Sequence, residues 1–300
     1  MPDTRYFCSD EYFPLHPVGP MPSSPLAPAA STGHIRVHEA GAIEFGGHKV
    51  LTLPHHNGKI SAGQIKTLLD AYQNDANHDH MVLPGMVYLS HPTEYGTLYS
   101  RAELTEISAL CRSYKIPLYP DGARLAYALS RPQNDLTLAD LAALCDVFYL
   151  GGTKCGALFG EAVVIPKAGT IPHFFTIIKQ HGALLAKGRL LGIQFDTLFT
   201  DGLYERIGAD AVRYADAIRR AMAENGYLPC FPSPTNQSFC IVSEQQRKEL
   251  AERVDFSVWE QYDETHSIIR FATSWATREE DVNALCRILR ECTAQEKAAS

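Results

Sequence analysis

The sequence predicts an α/β fold: a large domain on a mostly parallel sheet, then a smaller α+β C-terminal domain. Three observations carry this. Short apolar runs bounded by turn signals, 116–120 (IPLYP) and 147–150 (VFYL), read as buried parallel strands. Segments of helical periodicity lie between the strands, at 61–72, 101–114 and 136–145. From Tyr227 the pattern changes to short strands, YLPCFPS, QSFCIVS and HSIIRFATS, closed by one more helix. A chain of 300 residues suits one large and one small domain. The divisions are expected at 1–30 for an N-terminal arm or linker, 31–203 for the large domain and 204–300 for the small one.

Taken in order, the first thirty residues run from RYFCSDEYFPLHP into VGPMPSSPLAPAA, which is rich in Pro, Ala and Ser and has no periodicity. HIRVHEAGA is expected as a short strand or turn leading into helix, and KVLTLP, from Lys49, as a strand. The helix at 61–72 places Ile65, Leu68, Leu69 and Tyr72 on one face. MVYLS, from Met86, is the next strand. The helix at 101–114 then buries Leu104, Ile107, Leu110 and Cys111. A crossover helix at 136–145 links the strand before Asp121 to the strand before Lys154, and GEAVVIP, from Gly160, returns beside the latter. After Pro172 the chain reads as helical, with breaks near Gly182 and Asp201. The last helix is expected from Thr277 to about Arg290, opened by a capping box of Thr277 and Glu280.

Net charge is −7 with no long basic run, which argues against nucleic acid as the main partner. No basic-then-apolar leader or run of membrane length is present, so a cytoplasmic protein with no membrane partner is expected. The eight cysteines form no C-x-x-C pair and are read as reduced. Cys155, next to Lys154, is read as a small residue in a tight loop. His55, His56, His78 and His80 lie in polar loop sequence without supporting carboxylate or Cys spacing, so no metal site is assigned.

Asp121 and Lys154 each follow a predicted strand and lie 33 positions apart, about one βαβ unit. Ligands of open α/β sheets bind outside the carboxyl ends of the strands. A lysine and an aspartate placed there can hold the two ends of pyridoxal phosphate (PLP), the lysine on its aldehyde carbon and the aspartate at its ring nitrogen. Arg270 is a charge among aromatic and β-branched neighbours in IIRFATSW and needs a partner, for which a carboxylate suits its planar fork.

PDGARLAYAL and YLGGTKCGALFGEAVV closely resemble the DGAR and lysine segments of threonine aldolases and related β-eliminating lyases; HEAGAIEFGGHKV and RFATSWATREEDV resemble further blocks in the same order. The resemblance spans about 31–293 and implies a fold-type-I, PLP-dependent transferase-like large domain. It implies cleavage of a β-hydroxy-α-amino acid to glycine and an aldehyde, in a homodimer or homotetramer. Lys154 and Asp121 would be catalytic, with His34 stacked on the cofactor ring and Arg124 and Thr153 also contacting the cofactor. Arg270 and Ser9 would bind the substrate carboxylate. Near Lys187 and Arg189 a dimer interface is implied. Aldolases usually carry a His in the loop HPTEYGTLYS, near the substrate β-hydroxyl; the matching stretch offers Glu94 and Tyr95 instead, which leaves β-elimination or transamination open. The family's Gly-Thr-rich phosphate loop has no counterpart ahead of Ser31, where the Pro-rich segment stands, so weak or no PLP binding is the other alternative.

Overall fold

The computed structural model describes the backbone of residues 5–9 and 26–299 and the side chains of 28–36 and 38–293. The strands of the first part are β1 (Arg5–Ser9), β2 (Leu26–Ala30), β3 (Lys49–Leu53), β4 (Val87–Ser90), β5 (Leu118–Asp121), β6 (Phe148–Leu150) and β7 (Glu161–Ile165). β2 pairs with β3 and β4 with β5, both in parallel, while β7 pairs antiparallel with β6 on one side and β1 on the other. β2 lies against β4 and β5 against β6, which gives the layer order β3-β2-β4-β5-β6-β7-β1.

Strand residues alternate between two faces. Val87, Leu89, Leu118, Phe148, Ala162 and Val164 join one core, covered by α3 (Ala62–Asn74), α4 (Arg101–Tyr114), α5 (Leu125–Leu129) and α6 (Leu138–Leu144). Tyr88, Tyr119, Val147 and Val163 face the other way, toward Ile35 of α1 (His34–Val37) and Ile43 of α2 (Ala42–Phe45). Three helix starts that cover the first face are set by capping boxes, Ser61 with Gln64, Ser100 with Glu103 and Thr137 with Asp140.

The chain then runs through α7 (Phe174–Gln180), α8 (Arg189–Phe199) and α9 (Leu203–Glu224). Gly182 and Asp201 sit at positive φ, +73° and +51°, where the helical pattern breaks. α9 belongs to both parts of the molecule: Ala211 and Val212 join the first core, and Ile218, Ala221 and Met222 a second one. That second core packs α10 (Glu244–Ala251) and α11 (Glu279–Ala299) with the antiparallel sheet β10-β11-β9-β8. Its strands are β8 (Leu228–Pro229), β9 (Gln237–Ser243), β10 (Ser257–Gln261) and β11 (His266–Ala272).

Four local expectations change. The span read as an arm, 1–30, contributes β1 and β2; LAPAA carries small residues without alternation, so its place beside β3 comes from pairing rather than pattern. HIRV, expected as a short strand or turn leading into helix, is itself the helical turn α1. Thr277 accepts a hydrogen bond from the Ser274 N–H at 2.9 Å, and α11 starts at Glu279. β10 lacks an apolar alternation because most of its residues are exposed.

Candidate active site

Two glycines bring the working strand ends together. A Cβ on Gly122 would sit 2.2 Å from the Tyr149 carbonyl oxygen, and one on Gly151 2.1 Å from the Ala123 carbonyl oxygen. Only glycine allows that approach. The Gly151 N–H donates to the Gly122 carbonyl at 3.0 Å, tying the end of β5 to the end of β6. Asp121 ends β5 in register with Ser90 of β4. Its carboxylate accepts from the Tyr88 hydroxyl and, at 2.8 Å, from the Ala123 N–H.

Lys154 stands in a 3-10 turn, Thr153–Cys155, just past β6. Its carbonyl accepts from the Tyr127 hydroxyl. Glu161, the first residue of β7, holds the turn from the other side: its carboxylate accepts from the Gly152 N–H, the Thr153 hydroxyl and the Thr153 N–H. Burial pushes the Glu161 carboxyl above the usual carboxylate range against the pull of those donors. Sequence reading passed over Glu161, although an acid opening the apolar run EAVVI is a signal that a partner awaits it.

Lys154 and Asp121 line one cleft of about 300 Å³, together with His34, Arg124, Glu94 and Glu161. His34 pairs through Nδ1 with Glu39, and this hydrogen bond holds the Glu39 carboxyl below its ordinary range. The His38 ring lies 4.9 Å from that of His34. Burial lowers the Arg124 pKa, so a desolvated cation borders the cleft. Cys155 is fully buried and its thiol is pushed up to about 12, the behaviour of an inert small residue.

Other expected residues stand elsewhere. Thr153 does not line the cleft and gives its hydroxyl to Glu161. Tyr95 does not line it either: its ring stacks on Phe231 at 3.8 Å and its hydroxyl lies 3.3 Å from Glu260. Glu94 and Tyr95 are neighbours in sequence but face different surroundings. His91 is buried, its Nδ1 accepts from the Tyr99 N–H at 3.3 Å, and burial lowers its pKa to about 4. The Ser9 backbone pairs with Glu161, while its side chain lies outside the described residues. Lys187 and Arg189 are exposed and off the cleft.

Arg270 lines a second opening, with Ser257, Thr273 and Ser274. Nη1 donates to Gln237 at 3.0 Å and Nη2 to Ser257 at 3.2 Å, and the guanidinium lies 4.4 Å from the Trp259 ring centroid. Nε is buried with no partner among the described residues. Burial first, and the charge of Arg124 second, lower its pKa to about 10. A guanidinium with neutral partners, close enough to feel a second cation, is suited to an incoming carboxylate.

The family description "Beta-eliminating lyase" matches residues 24–253. A low specificity L-threonine aldolase from a Pseudomonas species is 32% identical over 267 residues, which is 87% of this chain and 74% of the relative. A threonine aldolase structure from Leishmania major is 40% identical, with a TM-score of 0.88, covering 97% of this chain and 85% of its own. An aminotransferase from Mycobacterium tuberculosis superposes with a TM-score of 0.65 at 14% identity, over 92% of this chain and 71% of its own, a likeness of fold alone.

Proposed function

The chain belongs to the β-eliminating lyase family and groups there with the threonine aldolases, and on that footing we propose that it is a PLP-dependent carbon–carbon lyase that cleaves a β-hydroxy-α-amino acid to glycine and an aldehyde. The observation that carries this reading is the shared cleft of Lys154 and Asp121 at adjoining strand ends.

The described residues suit PLP at its aldehyde and ring ends. Lys154 supplies the amine for the aldehyde carbon, Asp121 the carboxylate for a protonated ring nitrogen, and His34 and Arg124 border the same space. When bound, PLP supplies an electron sink for the pair left at Cα. Asp121 holds the proton at the ring nitrogen, and Tyr88 and the Ala123 N–H keep its carboxylate in place. The under-satisfied Arg270 takes the substrate carboxylate, which fits its orphaned Nε. The protein orients the bond to be broken and steadies the charge that develops.

Among the described residues, Thr153 is engaged by Glu161, and Lys187 and Arg189 lie off the cleft, so these three do not serve the phosphate end.

Within the same reading the protein is cytoplasmic, with 31–203 together with β1 and β2 as its large domain and 204–300 as its small one. No described helix is long and apolar enough to cross a membrane. A homodimer or homotetramer is supported by the exposed apolar side chains of Leu185, Leu190 and Ile193.

The test is an absorption spectrum during PLP titration, followed by product analysis with threonine. We expect a visible band, glycine and aldehyde, with the loss of both in Lys154→Ala, where turnover falls by about three orders of magnitude or more. A keto acid with ammonia would assign elimination instead, and a keto acid without free ammonia transamination.

A further inference from the structure

Glu94 is 6% exposed and borders the cleft with Asp121 and Lys154. One carboxylate oxygen is engaged: Oε1 accepts from the Ser90 hydroxyl at 2.5 Å and from the His34 N–H at 2.8 Å. The other, Oε2, is buried with no hydrogen-bond partner among the described residues. A buried carboxylate oxygen without a donor is costly, so orphaned oxygens of this kind point to a missing ligand group. Two donors on Oε1 lock the side chain and leave Oε2 as the available acceptor.

We propose that Glu94 is the base that takes the proton of the substrate's β-hydroxyl; this rests on the lyase reading above. The Glu94 carboxylate accepts the hydroxyl proton. The O–H electron pair becomes the carbonyl π bond of the departing aldehyde, the Cα–Cβ bond breaks, and its pair stays with Cα. A proton then added at Cα completes glycine, so the proton lost by oxygen is balanced by the one gained by carbon. Glu94 returns to its ionised form on releasing its proton.

The other candidates for this work are placed or tuned against it. Tyr95 stacks away on Phe231 beside Glu260, and its hydroxyl is raised far above its usual range, first by burial. His91 does not line the cleft. His34 Nδ1 is taken by Glu39. Burial raises the Glu94 carboxyl above its ordinary range, and the charge of Asp121 on β5 adds to this. A base raised toward neutrality is a better proton acceptor. Its charged and titratable surroundings are Tyr88 on β4, Asp121 on β5, Arg124 at the start of α5, Tyr95 and Tyr99 on its own loop, and His34, His38, Glu39, Lys154 and Glu161 around the cleft.

Glu94→Gln keeps the shape and the Oε1 acceptor but removes the base. Threonine cleavage should fall about 10²–10⁴-fold. The PLP absorption band and the exchange of the α-hydrogen of glycine in heavy water, which needs no β-hydroxyl proton removal, should stay within about threefold of wild type. Glu94→Asp, a shorter base, should recover about tenfold over the Gln variant. A second readout uses the protein without PLP. A carboxyl raised in the folded state stabilises below its unfolded pKa, and that contribution is lost as pH rises through the folded pKa. The urea midpoint of wild type should therefore fall relative to that of Glu94→Gln as pH rises from 5 to 9. Cleavage within tenfold of wild type, equal losses of cleavage and glycine exchange, an Asp variant as slow as Gln, or a pH-independent stability difference would each overturn the proposal. A wild type that yields keto acid and ammonia would instead sink the carbon–carbon lyase reading, and this role with it.

Discussion

Asp121 and Arg270 are both charged, both partly buried and both set in a sheet at the edge of an opening, yet the protein treats them differently. Asp121 ends a parallel strand, and each of its oxygens already has a donor, the Tyr88 hydroxyl on one and the Ala123 N–H on the other. Arg270 lies in an antiparallel strand and has two neutral acceptors, an aromatic face and one buried N–H left over. The first arrangement keeps a charge still while chemistry happens beside it. The second leaves a charge unfinished until a ligand completes it. Lys154 follows the first pattern through its backbone: the turn that bears it is held by Tyr127 and Glu161. Positioning groups are tied by the protein, whereas recognition groups are left in want of a partner.

Removing charge on the tied side should hurt turnover most. In Asp121→Asn the side chain keeps its shape and an acceptor for the Ala123 N–H. We expect kcat to fall about 10²–10³-fold, the scale of removing one preorganised electrostatic partner, with PLP content nearly unchanged by absorbance. Wild-type kcat in this variant would mean that Asp121 is only a structural end to β5. On the unfinished side the effect is smaller and sits in binding. Arg270→Lys exchanges a fork for a point charge, so one charge-assisted hydrogen bond, at roughly 1.5–3 kcal/mol, is lost and KM for threonine should rise about 10–100-fold. An amine lacking the carboxylate should lose its disadvantage relative to the amino acid. Discrimination equal to wild type would place Arg270 among structural residues and erase the contrast.

Asp121 and Lys154 were legible as a pair, because Asp121 ends one apolar run, Lys154 follows another after Gly-Gly-Thr, and the two stand about one βαβ unit apart. Cys111, Leu104 and Ile107 were legible from helical spacing alone, and all three are buried in the first core. Facing within a loop was not legible. Glu94 and Tyr95 are consecutive, and only the folded loop sends one into the cleft and the other against Phe231. Thr153 was assigned a cofactor contact by the resemblance, but the strand that returns beside it brings Glu161, which claims its hydroxyl. β10 escaped notice because its residues are mostly exposed, and pairing with β11 rather than burial defines it. In each case the missing information is a contact between residues distant in sequence, or a direction that no local pattern encodes.

The smallest expected effect concerns the support of the lysine turn. Glu161→Gln retains one carbonyl oxygen but sets an amide NH₂ where donors converge from Gly152 and Thr153. One charge-assisted hydrogen bond becomes a neutral one and another loses its acceptor, for a loss of about 1–2 kcal/mol. Lys154 itself is untouched, so the consequence for chemistry is looser placement: we expect kcat to fall about three- to tenfold with KM little changed. The pH dependence separates support from simple burial. Because burial raises the Glu161 carboxyl in the folded state, its contribution to stability is full below the unfolded pKa and is lost as pH rises through the folded value. The stability gap between wild type and Glu161→Gln, read from urea midpoints, should therefore narrow from pH 5 to pH 8. A gap that widens over that range would mean that the three donors outweigh burial and that Glu161 works as a fully ionised clamp on the turn.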